Sequence, residues 1–205
     1  MRLLRSLALA LAAVVAMSGV ATSAENSKLT LTNTTMIRVG MAICSITLVD
    51  ATTALTASHC DSKGFKVGDV VHMDRTPIGT IGALGNQADP SYYVDVVRID
   101  LDPNTVTVDH PVEIGRSADL RPGDTVRRVG AVSQREGRIV SDGAQTGHWH
   151  YGPEKYMLST ANGRHGDSGG AVFDAQGRLV GVHSAVLSGK QMFVPIDFAA
   201  KLLQR

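Results

Sequence analysis

The chain is poor in cysteine and in aromatic residues, and neither sign of charge is in clear excess. Two cysteines, Cys44 and Cys60, occur in 205 residues, and two cysteines alone make no zinc set. We expect no metal and no cofactor. Phe, Trp and Tyr make up 4% of the chain, so a core must consist mainly of Val, Leu, Ile and Ala. With 20 basic and 19 acidic residues, the charge balance gives no reason to expect nucleic acid or an anionic membrane as a partner.

Beyond the N terminus, the sequence has no apolar run that approaches the roughly 20 residues of a membrane-spanning helix. Residues 6–20 are almost entirely apolar, Arg2 and Arg5 precede them, and small residues follow. This is the pattern of a secretory signal peptide. We therefore expect residues 1–24 to be removed. Residues 25–205 should form a secreted protein, extracellular or in the periplasm and cell envelope, which is monomeric and has no stable membrane association.

Short β-type segments separated by Gly, Pro, Asp and Asn dominate the rest of the sequence. Strands at this spacing, with little helix, favour an all-β barrel or sandwich. Residues 197–205 have helical spacing and predict a short C-terminal helix. Residues 109–122 are the predicted boundary between two halves. The predicted strands are residues 36–49, 53–57, 66–73, 78–83, 92–101, 125–132, 138–141, 155–159, 171–173, 179–185 and 192–195.

Three polar residues are suited to nucleophilic catalysis. Ser168 lies in Gly-Asp-Ser-Gly-Gly, whose glycines let backbone N–H groups turn toward a developing oxyanion. A serine hydroxyl needs an adjacent base, and His59 is the candidate. Asp95, predicted in the middle of a β-branched strand, would orient the imidazole. The order His, Asp, Ser is one of the known orders of a catalytic triad. The predicted oxyanion donors are the N–H groups of Gly166 and Ser168, and the acids that compete with Asp95 are Asp89, Asp100 and Asp102.

The motifs Thr-Ala-Ser-His-Cys around His59, Val-Asp-Val-Val around Asp95 and Gly-Asp-Ser-Gly-Gly around Ser168 resemble the trypsin/chymotrypsin-like serine proteases. Within that family the chain is similar to small bacterial secreted members such as streptogrisins and glutamyl endopeptidases. The resemblance implies a serine endopeptidase that acts on protein or peptide substrates through an acyl-enzyme. It also implies an all-β fold of two antiparallel six-stranded barrels, about residues 25–110 and 118–195, with the active site between them and the helix at the end.

Two further pairings follow from the resemblance. In an exported chain, Cys44 and Cys60 allow one disulfide or two free thiols, and the family implies the disulfide. Streptogrisins pair the acid before the serine with an internal arginine, and Arg128 stands at the matching place. We hypothesise that Arg128 pairs with Asp167 and keeps the oxyanion loop formed; the alternative is that Arg127 and Arg128 are both solvated.

The resemblance also assigns a primary specificity pocket. The pocket has no acidic residue at its base, which argues against a preference for Lys or Arg. His183 matches the histidine with which glutamyl endopeptidases bind a substrate carboxylate, whereas Val186 replaces the usual glycine and favours small side chains. We therefore expect acidic or small residues before the cleaved bond. Arg164 stands where many relatives have a second-bridge cysteine, so the pocket wall must be held otherwise. The assigned pocket residues are Asn162, His165, His183, Ala185 and Val186.

Two other readings of the sequence stay open. Gly166-x-Ser168-x-Gly170 also fits the nucleophile elbow of an α/β-hydrolase esterase. That fold requires a helix after the serine and then Asp and His, whereas residues 171–173 are strand-like. The second alternative is a secreted protease-fold protein that binds its target with little or no turnover.

Overall fold

The computed structural model describes residues 27–85, 91–149 and 152–204. The predicted signal peptide lies outside these residues. Within them the chain forms sixteen β-strands and one α-helix. The strands are β1 Leu29–Leu31, β2 Met36–Val39, β3 Ala42–Ser45, β4 Thr47–Asp50, β5 Thr53–Thr56, β6 Val70–Met73, β7 Thr76–Leu84, β8 Val97–Leu101, β9 Val106–Val108, β10 Thr125–Val129, β11 Gln134–Arg138, β12 Gln145–Trp149, β13 Gly152–Ser159, β14 Ala171–Asp174, β15 Leu179–Leu187 and β16 Lys190–Pro195, and the helix is α1 Ile196–Leu203.

The first half of the chain forms one antiparallel sheet with the strand order β3-β2-β6-β7-β8-β5-β4. Its two outer strands, β3 and β4, are separated along the chain by Ile46 alone. The sheet therefore curls until β3 and β4, its two edges, form one continuous segment. Counted with that joint segment, six chain segments surround a core. Ile37, Ile81 and Ile99 lie buried in that core, as expected from a sequence rich in aliphatic residues.

The second half repeats this architecture with the order β11-β10-β14-β15-β16-β13-β12. Ile139, which follows β11, forms an antiparallel bridge with Ser159 at the end of β13. The Thr160 N–H donates to the Arg138 carbonyl at 2.9 Å. These contacts join β11 to β13, so six strands close on themselves and β12 extends the sheet beyond them. Phe193 is buried in the core of this half.

The C-terminal helix packs on both halves. Ile196, Ala199 and Leu202 are buried and share one face of the helix, because residues three apart lie on the same side. They belong to a cluster that also holds apolar side chains of both sheets. In β8, the Arg98 guanidinium donates to the Leu202 carbonyl at 3.0 Å, at the helix end where carbonyls lack intrahelical partners. No helix in the described ranges is long and apolar enough to cross a membrane.

The predicted all-β fold with a C-terminal helix is confirmed, while several strand boundaries differ. The predicted strand 92–101 begins only at Val97, and the strand predicted at 138–141 lies at Gln134–Arg138. β1, β9 and β12 were not predicted. β1 and β9 have only three residues each and pair with each other in parallel across the whole first half. The proposed boundary within residues 109–122 stays a prediction.

Candidate active site

Three of the predicted residues lie in one hydrogen-bonded line between the two sheets. The Asp95 Oδ2 atom is 2.7 Å from His59 Nδ1, and His59 Nε2 is 3.0 Å from Ser168 Oγ. A carboxylate only accepts hydrogen bonds, so Nδ1 carries the proton of the neutral ring. Nε2 is thereby left to accept the hydrogen of the serine hydroxyl.

His59 is held by the segment that follows β5. It lies in a single turn of 3-10 helix, Ser58–Cys60, and its backbone N–H donates to Asp95 Oδ1 at 3.0 Å. A disulfide joins Cys44 in β3 to Cys60, which confirms the predicted pairing. Both the backbone and the ring of His59 are therefore tied to neighbouring segments.

Asp95 is not in the middle of a strand, and that prediction was wrong. Val94, Asp95 and Val96 are all buried, and the strand that follows them begins only at Val97. The Val96 N–H donates to the Val94 carbonyl at 2.7 Å, which makes a three-residue turn centred on Asp95. The turn directs the carboxylate toward His59 just before β8 begins.

Ser184 is a site residue that the sequence reasoning missed. Its hydroxyl donates to Asp95 Oδ2, and its carbonyl lies 3.2 Å from Ser168 Oγ. It stands where the pairing of β15 with β16 shifts register between His183 and Ala185. A buried hydroxyl inside an apolar strand was the available signal, the same kind of signal that had pointed to Asp95.

The environment of His59 favours its protonated form. Burial lowers the pKa of His59, but the hydrogen bond and the charge of Asp95 and the charge of Glu154 raise it, and the net result is a raised pKa. Glu154 is buried in β13 and forms a parallel bridge with Tyr93, close to the Asp95 turn. Two carboxylates from different parts of the chain therefore act on one imidazole.

The turn formed by residues 166–170 is almost fully hydrogen-bonded. All five of its backbone carbonyls accept a hydrogen bond, and three of its five N–H groups donate one. Within the described ranges, the two N–H groups without an acceptor are those of Gly166 and Ser168. Gly166 has a φ of +95°, which glycine adopts without steric strain. The two free donors are the pair predicted for an oxyanion hole.

Asp167 and Arg128 form a buried ion pair beneath this turn. Arg128 Nη1 lies 2.9 Å from Asp167 Oδ2, and both side chains are almost completely inaccessible. Ser133, which sequence reasoning missed, donates its hydroxyl to Asp167 Oδ2 at 2.6 Å and accepts from Arg128 at 2.8 Å. Burial raises the pKa of Asp167, but hydrogen bonds from Ser133 and from the backbone, together with the charge of Arg128, lower it by more. The net result is a lowered pKa. These contacts favour the ionised form of Asp167.

The predicted pocket residues flank the same turn, and their polar groups are less well satisfied. His183 is buried, and burial together with the charge of Arg128 lowers its pKa to about 4. Its ring packs on Gly163, where an added Cβ would lie 2.3 Å from Nε2. In the described part of the chain, His183 Nδ1 and Asn162 Oδ1 have no hydrogen-bond partner. Val186 is 44% exposed, His165 is exposed and Ala185 is half-buried.

Asn162, a predicted pocket residue, also contacts the tip of the neighbouring hairpin. Its Nδ2 donates to the Gly189 carbonyl at 2.5 Å. Ser188 and Gly189, with φ of 49° and 75°, form the two-residue turn between β15 and β16, as a hairpin turn with both central residues at positive φ requires. This contact joins two segments in a chain where Arg164 replaces the cysteine of many relatives. Among the described residues, no group of three or more His, Cys, Asp or Glu side chains could hold a metal ion.

Solved structures share this architecture. Thermobifida fusca Protease A is 24% identical, with a TM-score of 0.63 over 85% of this chain and 94% of that protein. A glutamic acid specific serine protease, described as using a novel histidine triad in substrate binding, is 20% identical, with a TM-score of 0.63 over 83% and 96%. An HtrA-type protease, AlgW with a tripeptide, is 22% identical, with a TM-score of 0.61 over 82% of this chain; the match spans 57% of that protein.

Family membership follows from a match to a family model. No individual curated protein sequence matches the chain. Residues 43–182, more than half of the chain, match the family model of the trypsin-like peptidase domain. The match includes the segments that hold His59, Asp95 and Ser168. The chain therefore belongs to the family of trypsin-like serine peptidases.

Proposed function

We propose that the protein is a secreted serine endopeptidase that hydrolyses peptide bonds through an acyl-enzyme. The observation that carries the proposal is the continuous line from Asp95 Oδ2 through the His59 ring to Ser168 Oγ, at 2.7 and 3.0 Å. Such a line supplies what a serine hydroxyl lacks at neutral pH, a base in contact with its proton.

In the first half-reaction, Ser168 Oγ attacks the carbonyl carbon of the scissile peptide while His59 Nε2 takes the hydroxyl proton. The C–N bond then breaks, and the imidazolium gives that proton to the leaving amine. Asp95 holds the ring in the required tautomer and stabilises the imidazolium. The product of this step is an ester between Ser168 and the acyl half of the substrate.

In the second half-reaction, water attacks the ester, and His59 takes a proton from that water. The bond to Ser168 Oγ breaks, and His59 returns the proton to the serine. In both steps, negative charge develops on the carbonyl oxygen. The free N–H groups of Gly166 and Ser168 would stabilise it, and losing one such donor typically slows turnover roughly 100- to 1,000-fold. In this proposal the Arg128–Asp167 pair keeps both donors in place.

We further propose that the residue before the cleaved bond is acidic or small. One observation supports an acidic side chain, namely the buried His183 Nδ1, which has no hydrogen-bond partner among the described residues. Val186, 44% exposed beside the pocket, supports a small one. Peptides that differ only in Glu, Ala, Phe or Arg at that position test the proposal, and a preference for Phe or Arg would contradict it.

A fluorophosphonate probe distinguishes the peptidase from a protease-fold binding protein. Such probes phosphonylate a serine only when that serine is activated as a nucleophile. We expect the wild type to be labelled and a folded Ser168→Ala variant to stay unlabelled. Folded wild type that is not labelled would favour the binding protein. Ser141→Ala, which changes another buried serine, is the matched control and should be labelled like the wild type.

A further inference from the structure

We infer that Ser45 is a positioning residue that holds the oxyanion turn in its working shape from the opposite half of the molecule. The inference rests on the proposed function of the turn and adds a residue to it. Ser45 lies in β3 of the first sheet and is completely buried. The turn that it contacts, residues 166–170, belongs to the second half.

The Ser45 hydroxyl uses both of its hydrogen-bonding functions at this boundary. Its Oγ donates to the Gly166 carbonyl at 2.8 Å and accepts the Ala131 N–H at 2.8 Å. The Ser45 backbone N–H donates to the Ser168 carbonyl at 2.7 Å. Ser45 therefore donates hydrogen bonds to the carbonyls of both neighbours of Asp167, Gly166 and Ser168.

These contacts fix one peptide plane at both of its ends. The Gly166 carbonyl and the Asp167 N–H belong to the same planar unit, and the Asp167 N–H donates to the Arg164 carbonyl at 2.9 Å. Gly166 is at φ +95°, and glycine has no side chain to restrict its rotation. The hydroxyl of Ser45 thus supplies a restraint that the glycine lacks. The Gly166 N–H belongs to the preceding peptide and is joined to this fixed plane through the Gly166 Cα atom alone. Loss of the Ser45 contact would therefore loosen the plane against which the Gly166 N–H is set.

The second contact links Ser45 to the loop that holds Asp167. Ala131 directly precedes Val132 and Ser133, whose N–H groups donate to Asp167 Oδ1 at 3.1 and 2.9 Å. A single buried hydroxyl therefore touches the turn and the loop beneath it. We expect its loss to affect transition-state stabilisation more than substrate binding.

Thr47 provides a matched control. It is also completely buried, and its Oγ1 donates across the same boundary to the Gly169 carbonyl at 2.8 Å. This contact lies beyond Ser168 and does not involve the Gly166–Asp167 peptide. Removing either hydroxyl deletes one buried hydrogen bond between the halves, so the two variants should lose similar stability.

The experiment compares Ser45→Ala with Thr47→Val below the melting transition of the less stable variant. For Ser45→Ala we expect kcat to fall roughly 10- to 100-fold with little change in KM, less than the loss of an oxyanion donor itself. An inhibitor aldehyde that forms a tetrahedral adduct should bind weaker by the same factor. Thr47→Val should lower Tm similarly and keep kcat within about threefold, since it leaves the Gly166 peptide in place. Equal losses of kcat in both variants, or unchanged kcat in Ser45→Ala, would overturn the inference.

A second measurement does not depend on turnover. In ¹⁵N-labelled protein, Ser45→Ala should shift the amide resonance of Gly166, and Thr47→Val should not. If the wild type fails to react with the fluorophosphonate, the proposed function fails while this comparison still tests the contact. If Ser45→Ala does not fold, Ser45→Thr decides the question, because it keeps the hydroxyl. Its kcat should stay within about fivefold of wild type, and a larger loss in the folded variant would contradict the inference.

Discussion

The turn that holds Ser168 and the residues proposed for the primary pocket lie side by side, yet their polar groups differ in how completely they are hydrogen-bonded. In the turn, residues 166–170, every carbonyl is hydrogen-bonded and only the two proposed oxyanion donors are free. Among the proposed pocket residues, Asn162 and His183 each keep a buried polar atom without a partner in the described ranges. Buried polar groups are usually satisfied. The contrast is what we expect if the turn is fixed before substrate arrives and if, as proposed, the polar atoms beside it bind a side chain of the substrate.

The largest expected effect comes from breaking the hydrogen-bonded line that runs from Asp95 through His59 to Ser168. Asp95→Asn should lower kcat by about 10⁴-fold, because the amide favours the wrong imidazole tautomer. The fold should persist, since the substitution keeps the shape of the side chain. Steady-state hydrolysis of a peptide ester measures the effect. Asp142→Asn, at an exposed position, is the control and should match wild type; a loss below tenfold in Asp95→Asn would contradict the assigned role.

The next effect comes from removing the support beneath the turn. Arg128→Met leaves the Asp167 charge buried without its partner, which should lower the free energy of unfolding by about 3–5 kcal/mol. Arg127→Met, at the exposed neighbouring position of β10, should change it by less than about 1 kcal/mol. Thermal and denaturant melts of both variants at pH 7 give the comparison. Equal stability of the two variants would refute the anchoring role.

The same pair predicts the direction of a pH dependence. The pKa of Asp167 is lowered in the folded protein, so its contribution to stability is present above the pKa of an unfolded aspartate. That contribution is lost as the pH falls through the lowered folded value. The stability gap between wild type and Arg128→Met should therefore be widest near neutral pH and shrink in acid. A gap that stays constant down to the acid transition would contradict this.

On the pocket side, Asn162→Ala should alter selectivity more than catalysis. It removes both the contact to Gly189 and the partnerless Oδ1, so the ratio of kcat/KM for peptides with Glu and Ala before the cleaved bond should change roughly tenfold. Stability should fall by only about 1 kcal/mol. Peptide competition assays give the ratio, with Asn104→Ala in a distant turn as control. An unchanged ratio would remove Asn162 from the pocket.

The smallest effect concerns the second carboxylate near His59. The charge of Glu154 raises the pKa of His59, and in the proposed mechanism the free base is the active form of the ring. In Glu154→Gln, the acid limb of kcat/KM should therefore move to lower pH, while Glu113→Gln, at an exposed position, should leave it in place. A shift toward higher pH, or equal profiles for both variants, would show that Glu154 does not act on His59.

The sequence predicted which residues meet at the candidate site better than it predicted the residues that support them. His59, Asp95 and Ser168 are recognisable because each stands in a short motif, and the fold class followed from strand spacing. Ser45, Ser133 and Ser184 were missed because hydroxyl groups occur everywhere in β proteins. Their importance depends on contacts such as Ser45 with Gly166, 121 residues apart.

Several strand boundaries were predicted wrongly for the same reason, since they too depend on contacts between residues far apart in the chain. The turn at Asp95 is set by tertiary contacts to His59 and Ser184, while its β-branched neighbours locally favour a strand. The short pair of β1 and β9 likewise depends on partners far apart in the chain. Local pattern therefore predicted most of the regular strands, and it missed β1, β9, β12 and the turn at Asp95.

Rapid mixing with a p-nitrophenyl ester tests the central claim most directly. If Ser168 forms an acyl-enzyme, the wild type should release a burst of about one nitrophenolate per protein before the steady state. Acid quenching followed by mass spectrometry should then find the acyl group on the peptide that contains Ser168. Folded wild type that gives no burst, or an acyl group on another residue, would contradict the account.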